Sequence, residues 1–395
     1  MTPELNPATG VAAGPRVPAG TAAAPPQPAG ELVITRGVCS AFFAFDVGFA
    51  VDLNEAQRLL SQGAPQRETL KHSRRAPKYF EYQPAPVRVT RPARPVSIGR
   101  FTTAAVVEAL VFDFGAVSIS FTIPIEGPAG DLLGLSDGLY EHAELLAEAQ
   151  RAAQELLKLL RPAITKPELA PFVEDYLVFD VDAWRIEGGG ETGLQAWLDA
   201  NLPLVARILR SDTQKLSRQE VEDASSCRIS YADNDAALID WNAALLFGAE
   251  MQDVMAVLEF GNVELLEMRF LDDQLDRAMA DAYEASQKRE RLGFGGQGAG
   301  LRRIARLQVD SAILFEGVNN ALKLLGDVYL SRVYRLAAVR LHLPEWDASI
   351  IRKLSTLESI YQKISDRQAN RRIEVLEWII ILLIAFEVVM SFVRK

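Results

Sequence analysis

Residues 373–393 read IEVLEWIIILLIAFEVVMSFV between Arg371-Arg372 and Arg394-Lys395, and this stretch restricts the fold more than any other. From Trp378 to Phe386 it is apolar on every face of a helix, which suits hydrocarbon or a fully buried core better than a water-facing surface. The sequence therefore predicts one C-terminal transmembrane helix, a tail anchor in a lipid bilayer. Its length is marginal: the residues from Trp378 to Val393 rise ~24 Å as a helix, against a hydrocarbon core of ~30 Å. Extending back to Ile373 adds a turn but brings in Glu374 and Glu377. Apolar side chains at roughly −0.5 kcal/mol each outweigh a central acid at about +3 kcal/mol, and Glu387 is off-centre. The anchor residues are Leu376, Glu377, Trp378, Ile379, Ile380 and Glu387. An acid inside a span is a functional position by default, facing a partner helix or titrating. The competing reading is the central helix of a soluble bundle.

Charge is distributed unevenly along the 395 residues. Residues 131–290 carry 14 basic and 32 acidic side chains, net −18, whereas 291–395 carry 16 and 10, net +6. An acidic body repels nucleic acid and anionic lipid, and a basic segment beside an anchor suits an anionic leaflet. A solvated acidic face accounts for the middle equally well. Two cysteines, Cys39 and Cys227, make no disulfide framework, and His72, His142 and His342 show no metal-ligand spacing. A reducing compartment follows, with no structural metal and no cofactor expected.

Along the chain, residues 1–30 hold seven Pro and four Gly without an aromatic, the composition of a disordered tail. They show neither a secretory h-region nor a basic transit pattern. Residues 31–248 read as a mixed head. Short β-rich runs lie at 32–35, 41–51, 79–82 and 87–90, and Asp52 with Glu55 has the spacing of a capping box. The KHSRRAPK run at 71–78 reads as an exposed basic loop, with a phosphate or RNA contact as the alternative. A strand-turn-strand spans 105–125 around Gly115. One helix is expected over 135–160, a strand over 176–184, and a helix over 194–209 broken at Pro203. Ser217 with Glu220 suggests a further capping box, followed by a strand at 227–231 and an apolar helix at 236–247.

Beyond Ala249 the apolar residues Met251, Val254, Leu258, Leu265, Met268, Leu271, Leu275 and Met279 recur mostly every three or four positions. A second such stripe runs over 301–341, and a third, from Trp346 through Ile350, Leu354, Leu357, Tyr361 and Ile364, has heptad spacing. The expected architecture is α+β: a mixed α/β head, a long antiparallel helical coiled arm over 249–372, and the transmembrane helix at 373–393. Uncovered stripes of that length predict a homo-oligomer closed through the arm.

The segments EALVFDFGAVSISF at 108–121 and RRIEVLEWIIILLIAFEVV at 371–389 carry a family resemblance. The chain resembles the required-for-meiotic-nuclear-division family of bacterial and mitochondrial proteins. In that family an early strand-turn-strand with a central Gly precedes helices and one C-terminal membrane helix opened by Leu-Glu-Trp-Ile-Ile. The matching residues are Phe114 and Gly115, then Leu376, Glu377, Trp378, Ile379 and Ile380, then Glu387 and Val388. The resemblance implies a single-pass protein of the bacterial or mitochondrial inner membrane, its bulk on the cytosolic or matrix side. It also implies no established enzyme activity, and a role in holding a partner such as a ribosome.

Enzyme signatures are sparse. Gly293, Gly295 and Gly298 match G-x-G-x-x-G, but a helix rather than a strand precedes them, so a flexible connector competes with a phosphate loop. Asp233, Asn234, Asp235 and Asp240 lack the Gly and terminal Glu of a calcium loop, and helix capping explains them as well. His142 between Glu141 and Glu144 reads as solvated surface. The leading expectation is a non-enzymatic, oligomerising membrane scaffold with an unknown protein partner. The alternatives are a membrane-associated nucleotide-binding enzyme or sensor, and an RNA or ribosome tether using the basic residues 291–372.

Overall fold

The computed structural model of the chain describes residues 30–63, 85–188, 193–289, 309 and 328–393. The first half of the head comprises β1 (Glu31–Asp46), β2 (Ala50–Val51), α1 (Leu53–Gly63), β3 (Val87–Pro92), β4 (Ser97–Ile98), β5 (Phe101–Thr102), β6 (Val106–Val111) and β7 (Ala116–Pro128). There follow α2 (Asp131–Leu139), α3 (Ala143–Leu160), β8 (Ile164–Thr165), β9 (Glu174–Glu187), α4 (Leu194–Ala200), α5 (Leu202–Arg210) and α6 (Arg218–Ala224). The remainder is β10 (Arg228–Ile229), β11 (Ala236–Ile239), β12 (Ala243–Phe247), α7 (Gln252–Arg289), α8 (Val328–Arg340) and α9 (Leu343–Val393).

Eight strands form one mixed sheet in the order β10-β11-β12-β9-β1-β7-β6-β3, antiparallel throughout except where β12 runs parallel to β9. β1 sits near its middle, and from Cys39 onward every residue of β1 is buried. Because strand side chains alternate between faces, Cys39, Ala41, Phe43 and Phe45 enter one core with α1 to α5. Phe42 and Ala44 enter a second core with α7, α8 and α9. A strand apolar on both faces must be covered on both, so the molecule has three layers, helices on either side of the sheet.

That second layer corrects the expected architecture. The stripe through Val254, Leu258, Leu271 and Leu275 is not the seam of a projecting coiled arm: it packs on β1, β7 and β9 and against α8 and α9. Gly261 lies against Leu341, and Lys353 Nζ reaches Asp272 and Asp276 at 2.8 and 2.6 Å, so α7 and α9 advance in the same direction. A stripe specifies that a helix has a partner, but not which partner, and here the partners are the sheet on one side and two further helices on the other.

The transmembrane expectation is corrected too. Among the described residues no helix is long and apolar enough to cross a membrane. The apolar run is the distal part of α9, a continuous helix of 51 residues whose proximal part buries Ile350 and Leu357 against the head. Glu374, Glu377 and Glu387 confine the uncharged run to less than a bilayer needs. The expected tail anchor and single-pass inner-membrane placement go with it.

Local expectations fared better. Phe112, Asp113, Phe114 and Gly115 turn β6 into β7, with Gly115 at φ +103. Asp52 Oδ1 accepts from the amides of Asn54 and Glu55, and Ser217 Oγ from Glu220. The helix expected over 135–160 is interrupted by Glu141 at φ +50, after which His142 caps α3, its Nδ1 accepting from the Leu145 amide at 3.1 Å. The segment 236–247 is the hairpin β11–β12 rather than a helix. A short apolar run buried on both faces lacks the alternation that marks a strand. The segments 1–29, 79–82, 71–78 and 293–300 lie outside the described residues.

Candidate functional site

Glu377, Trp378, Ile379 and Ile380 are exposed on α9, while the side chains of Leu376 and Glu387 lie outside the described residues, as do Gly293, Gly295 and Gly298. Every residue of 378–384 is apolar and 47 to 65 % exposed. The acidic run beyond Ala232 is also dispersed. Asp235 accepts from the amides of Tyr231 and Ala232, and Asp240 turns inward to Arg210 and Arg340.

A cavity of about 390 Å³ opens instead where the end of β1 meets α7. Asp46, the last residue of β1, forms its inner wall with Glu267 of α7. Gly48 and Phe49 come from the β1–β2 turn, Phe114 from the β6–β7 turn, and Lys166 and Glu168 from the segment between β8 and β9. Phe270, Leu271, Gln274 and Arg277 extend the wall along one face of α7, as three- and four-residue spacing allows.

Backbone hydrogen bonds hold this rim. The Val47 amide donates to Gly115 O, Phe49 to Thr165 O, Glu168 to Val47 O and Ala170 to Asp46 O, at 2.9 to 3.1 Å. Gly48 donates to Asp46 Oδ1 at 3.1 Å. Gly115 has no side chain because the Gly48 carbonyl occupies that space: a Cβ there would lie 1.8 Å from its oxygen.

The two inner carboxyl groups are unusual. Burial, reinforced by Glu168, pushes Asp46 up to about 7, although the Gly48 amide works the other way. Burial, followed by the proximity of Asp46, raises Glu267 well above the usual carboxylate range. Glu267 Oε1 is buried and has no hydrogen-bonding partner in the protein. One turn away on α7, burial and then Asp347 push Glu264 up to about 7, against the opposing hydrogen bond that Tyr334 donates to its Oε2 at 2.7 Å. These acids escaped the sequence reading because none interrupts the apolar stripe of α7, and Asp46 and Glu267 lie far apart in the chain. A Glu between Leu266 and Met268, on a helix otherwise apolar at those positions, was the one available signal.

Carboxyls raised by folding give a defined pH dependence. Between about pH 4 and 7 the folded Asp46 and Glu264 retain protons that their unfolded counterparts have lost, so stability falls as pH rises through that window. Glu264→Gln keeps an acceptor for Tyr334 and removes the buried charge. It is expected to raise stability at pH 8 by up to roughly 3 kcal/mol, with little change at pH 5. Calorimetric melting at pH 5, 6.5 and 8 checks this, and parallel pH slopes for both proteins would contradict it.

Among the described residues there is no group of three or more His, Cys, Asp or Glu placed to hold a metal ion. The arrangement offers buried carboxyls beside aromatic rings, suited to recognising a small polar molecule.

A family model described as "Uncharacterized protein MJ0711, N-terminal domain" matches residues 36–253, which includes β1 from Arg36, the rest of the sheet and the start of α7. A relative, the uncharacterized protein MJ0711 of Methanocaldococcus jannaschii, is 18% identical over 201 residues, covering 50% of this chain and 62% of that protein. The chain thus aligns with less than two thirds of that relative's length. No solved structure matches.

Proposed function

The chain belongs to the MJ0711 N-terminal domain family, and from that premise we propose that it is a non-enzymatic interaction protein that assembles with copies of itself through the distal part of α9. The observation that carries this is the run 378–384, seven successive apolar side chains that are all exposed although α9 is seated on the head at Ile350 and Leu357. An exposed apolar patch beyond a few hundred Å² marks an interaction surface. At about 100° per residue these seven side chains cover the whole circumference of the helix, so a single partner helix would leave half of them in water. Three or more α9 helices packed together cover them all. The likeness of 108–121 and 371–389 to the required-for-meiotic-nuclear-division family agrees with a role in holding partners rather than transforming substrates.

Sedimentation velocity of the full chain is expected to show one species of three or more copies. Ile380→Asp combined with Leu383→Asp is expected to return it to a single copy with the head still folded by circular dichroism. A wild-type monomer, or an unchanged oligomer in the double variant, would overturn the proposal.

A further inference from the structure

The cavity between β1 and α7 is lined by residues other than those of the exposed 378–384 run, and its chemistry points to a ligand. We propose that it binds a small organic ammonium ion carrying N–H donors, with Glu267 and Asp46 as the anchoring carboxylates and the phenylalanine rings as walls.

Four observations converge on this class. The volume, about 390 Å³, lies within the range of small-molecule pockets. Glu267 is more than nine-tenths buried, lines the cavity, and holds Oε1 without a protein partner. A buried acceptor left unpaired costs roughly 1–3 kcal/mol, which a donor on a ligand restores. Asp46, Glu168 and Glu267 arrive from three separate segments, so the inner end gathers carboxyl groups that no single helix face would present, and a bound cation would favour their ionised forms. Finally, Phe49, Phe114 and Phe270 supply aromatic surface, and the Lys166 ammonium lies over the Phe49 ring at 4.7 Å from its centre. The protein's own cation thus shows that this ring face accepts one.

The basic groups at the edge do not neutralise the inner acids. Arg277 pairs with Asp273 at 2.8 Å, and Lys166 is engaged with Phe49. Carboxylates beside aromatic faces satisfy both halves of an alkylammonium, charge and methylene stem. An anion meets three carboxyl groups, and a quaternary ammonium has no donor for Glu267.

The test is calorimetric titration of the full chain at pH 7.5 with 1,4-diaminobutane, using tetramethylammonium, magnesium and inorganic phosphate as comparison probes. Saturable binding of the diamine is expected, at least tenfold tighter than any comparison probe. Glu267→Gln removes the carboxyl whose ionised form a bound ammonium would favour, and relieves a buried acid, so affinity is expected to fall at least tenfold in a protein no less heat-stable than wild type. Lys166→Met clears the Phe49 ring and is expected to tighten binding several-fold, which keeps the test decisive should Glu267→Gln fail to fold. Asp233→Asn, an exposed carboxylate in the loop before β11, is expected to leave affinity unchanged. Absence of saturable diamine binding, equal binding by Glu267→Gln, no gain in Lys166→Met, or equal loss in Asp233→Asn would each overturn the proposal. A preference for magnesium over the diamine would overturn it too, in favour of a metal site.

Discussion

Asp240→Ala is expected to cost about 3–5 kcal/mol, the range for a buried ion pair broken from one side. Asp240 lies in the turn between β11 and β12 and is fully buried. Its Oδ2 accepts from Arg210 Nε and its Oδ1 from Arg340 Nε, both at 2.9 Å, while the Trp241 amide donates to Oδ1 at 2.8 Å. The two arginine side chains are only 12 and 13 % exposed. Arg210 ends α5 in one helical layer and Arg340 ends α8 in the other, so a single carboxylate at the sheet edge joins all three layers. Both guanidinium groups also reach Asp223, which they hold below its ordinary range, Arg340 more strongly than Arg210. Asp223 is half exposed and cannot replace the buried charge. Denaturant unfolding followed by tryptophan fluorescence measures the loss. Combining Asp240→Leu with Arg210→Leu and Arg340→Met is expected to recover most of it, because an apolar cluster carries no stranded charge. If Asp240→Ala cost under 1 kcal/mol, the network would be a surface feature with no part in joining the layers.

Gly115→Ala is the second large effect, at about 3 kcal/mol or more, since backbone strain and overpacking each contribute about 1–3 kcal/mol. Its φ of +103 is unfavourable for any side chain, and the added Cβ would fall 1.8 Å from the Gly48 carbonyl oxygen, a backbone atom with little freedom to retreat. The neighbouring bonds from Val47 to Gly115 O and from Val51 to Asp113 O would be displaced together, and with them Phe49 and Phe114 at the cavity mouth. The variant is therefore expected to lose both stability and diamine affinity. Gly134→Ala serves as the control. Gly134 lies within α2 with nothing within 4 Å of a new Cβ, so stability should rise by roughly 0.5–1 kcal/mol. Equal effects at the two positions would refute the steric account.

What was legible in the sequence is what neighbouring residues decide among themselves. The β6–β7 turn at Gly115, the caps at Asp52 and Ser217, and the helix break near Pro203 each depend on residues within a few positions, and each is present. The end of one helix and start of the next at Glu141 and His142 was missed although it is equally local. His142 caps through a ring nitrogen, and that residue type is a weak signal for a cap.

The sequence by itself determined the elements that turns, caps and alternation enforce, the charge balance of each segment, and the existence of apolar faces on α7 and α9. Only the tertiary structure decided what those faces meet. α7 lies on the sheet because β1 carries Phe42 and Ala44 on its second face, and these apolar side chains need covering as the helix stripe does. That seating buries Glu259, Asn262, Glu264 and Glu267, which a helix read alone would place in water. It also brings Glu267 beside Asp46, and the later position of α8 brings Arg340 to Asp240. Such pairs are separated by one hundred residues or more, and no local propensity encodes them. They follow from burying the largest apolar area at once, a property of the whole chain rather than of any one segment.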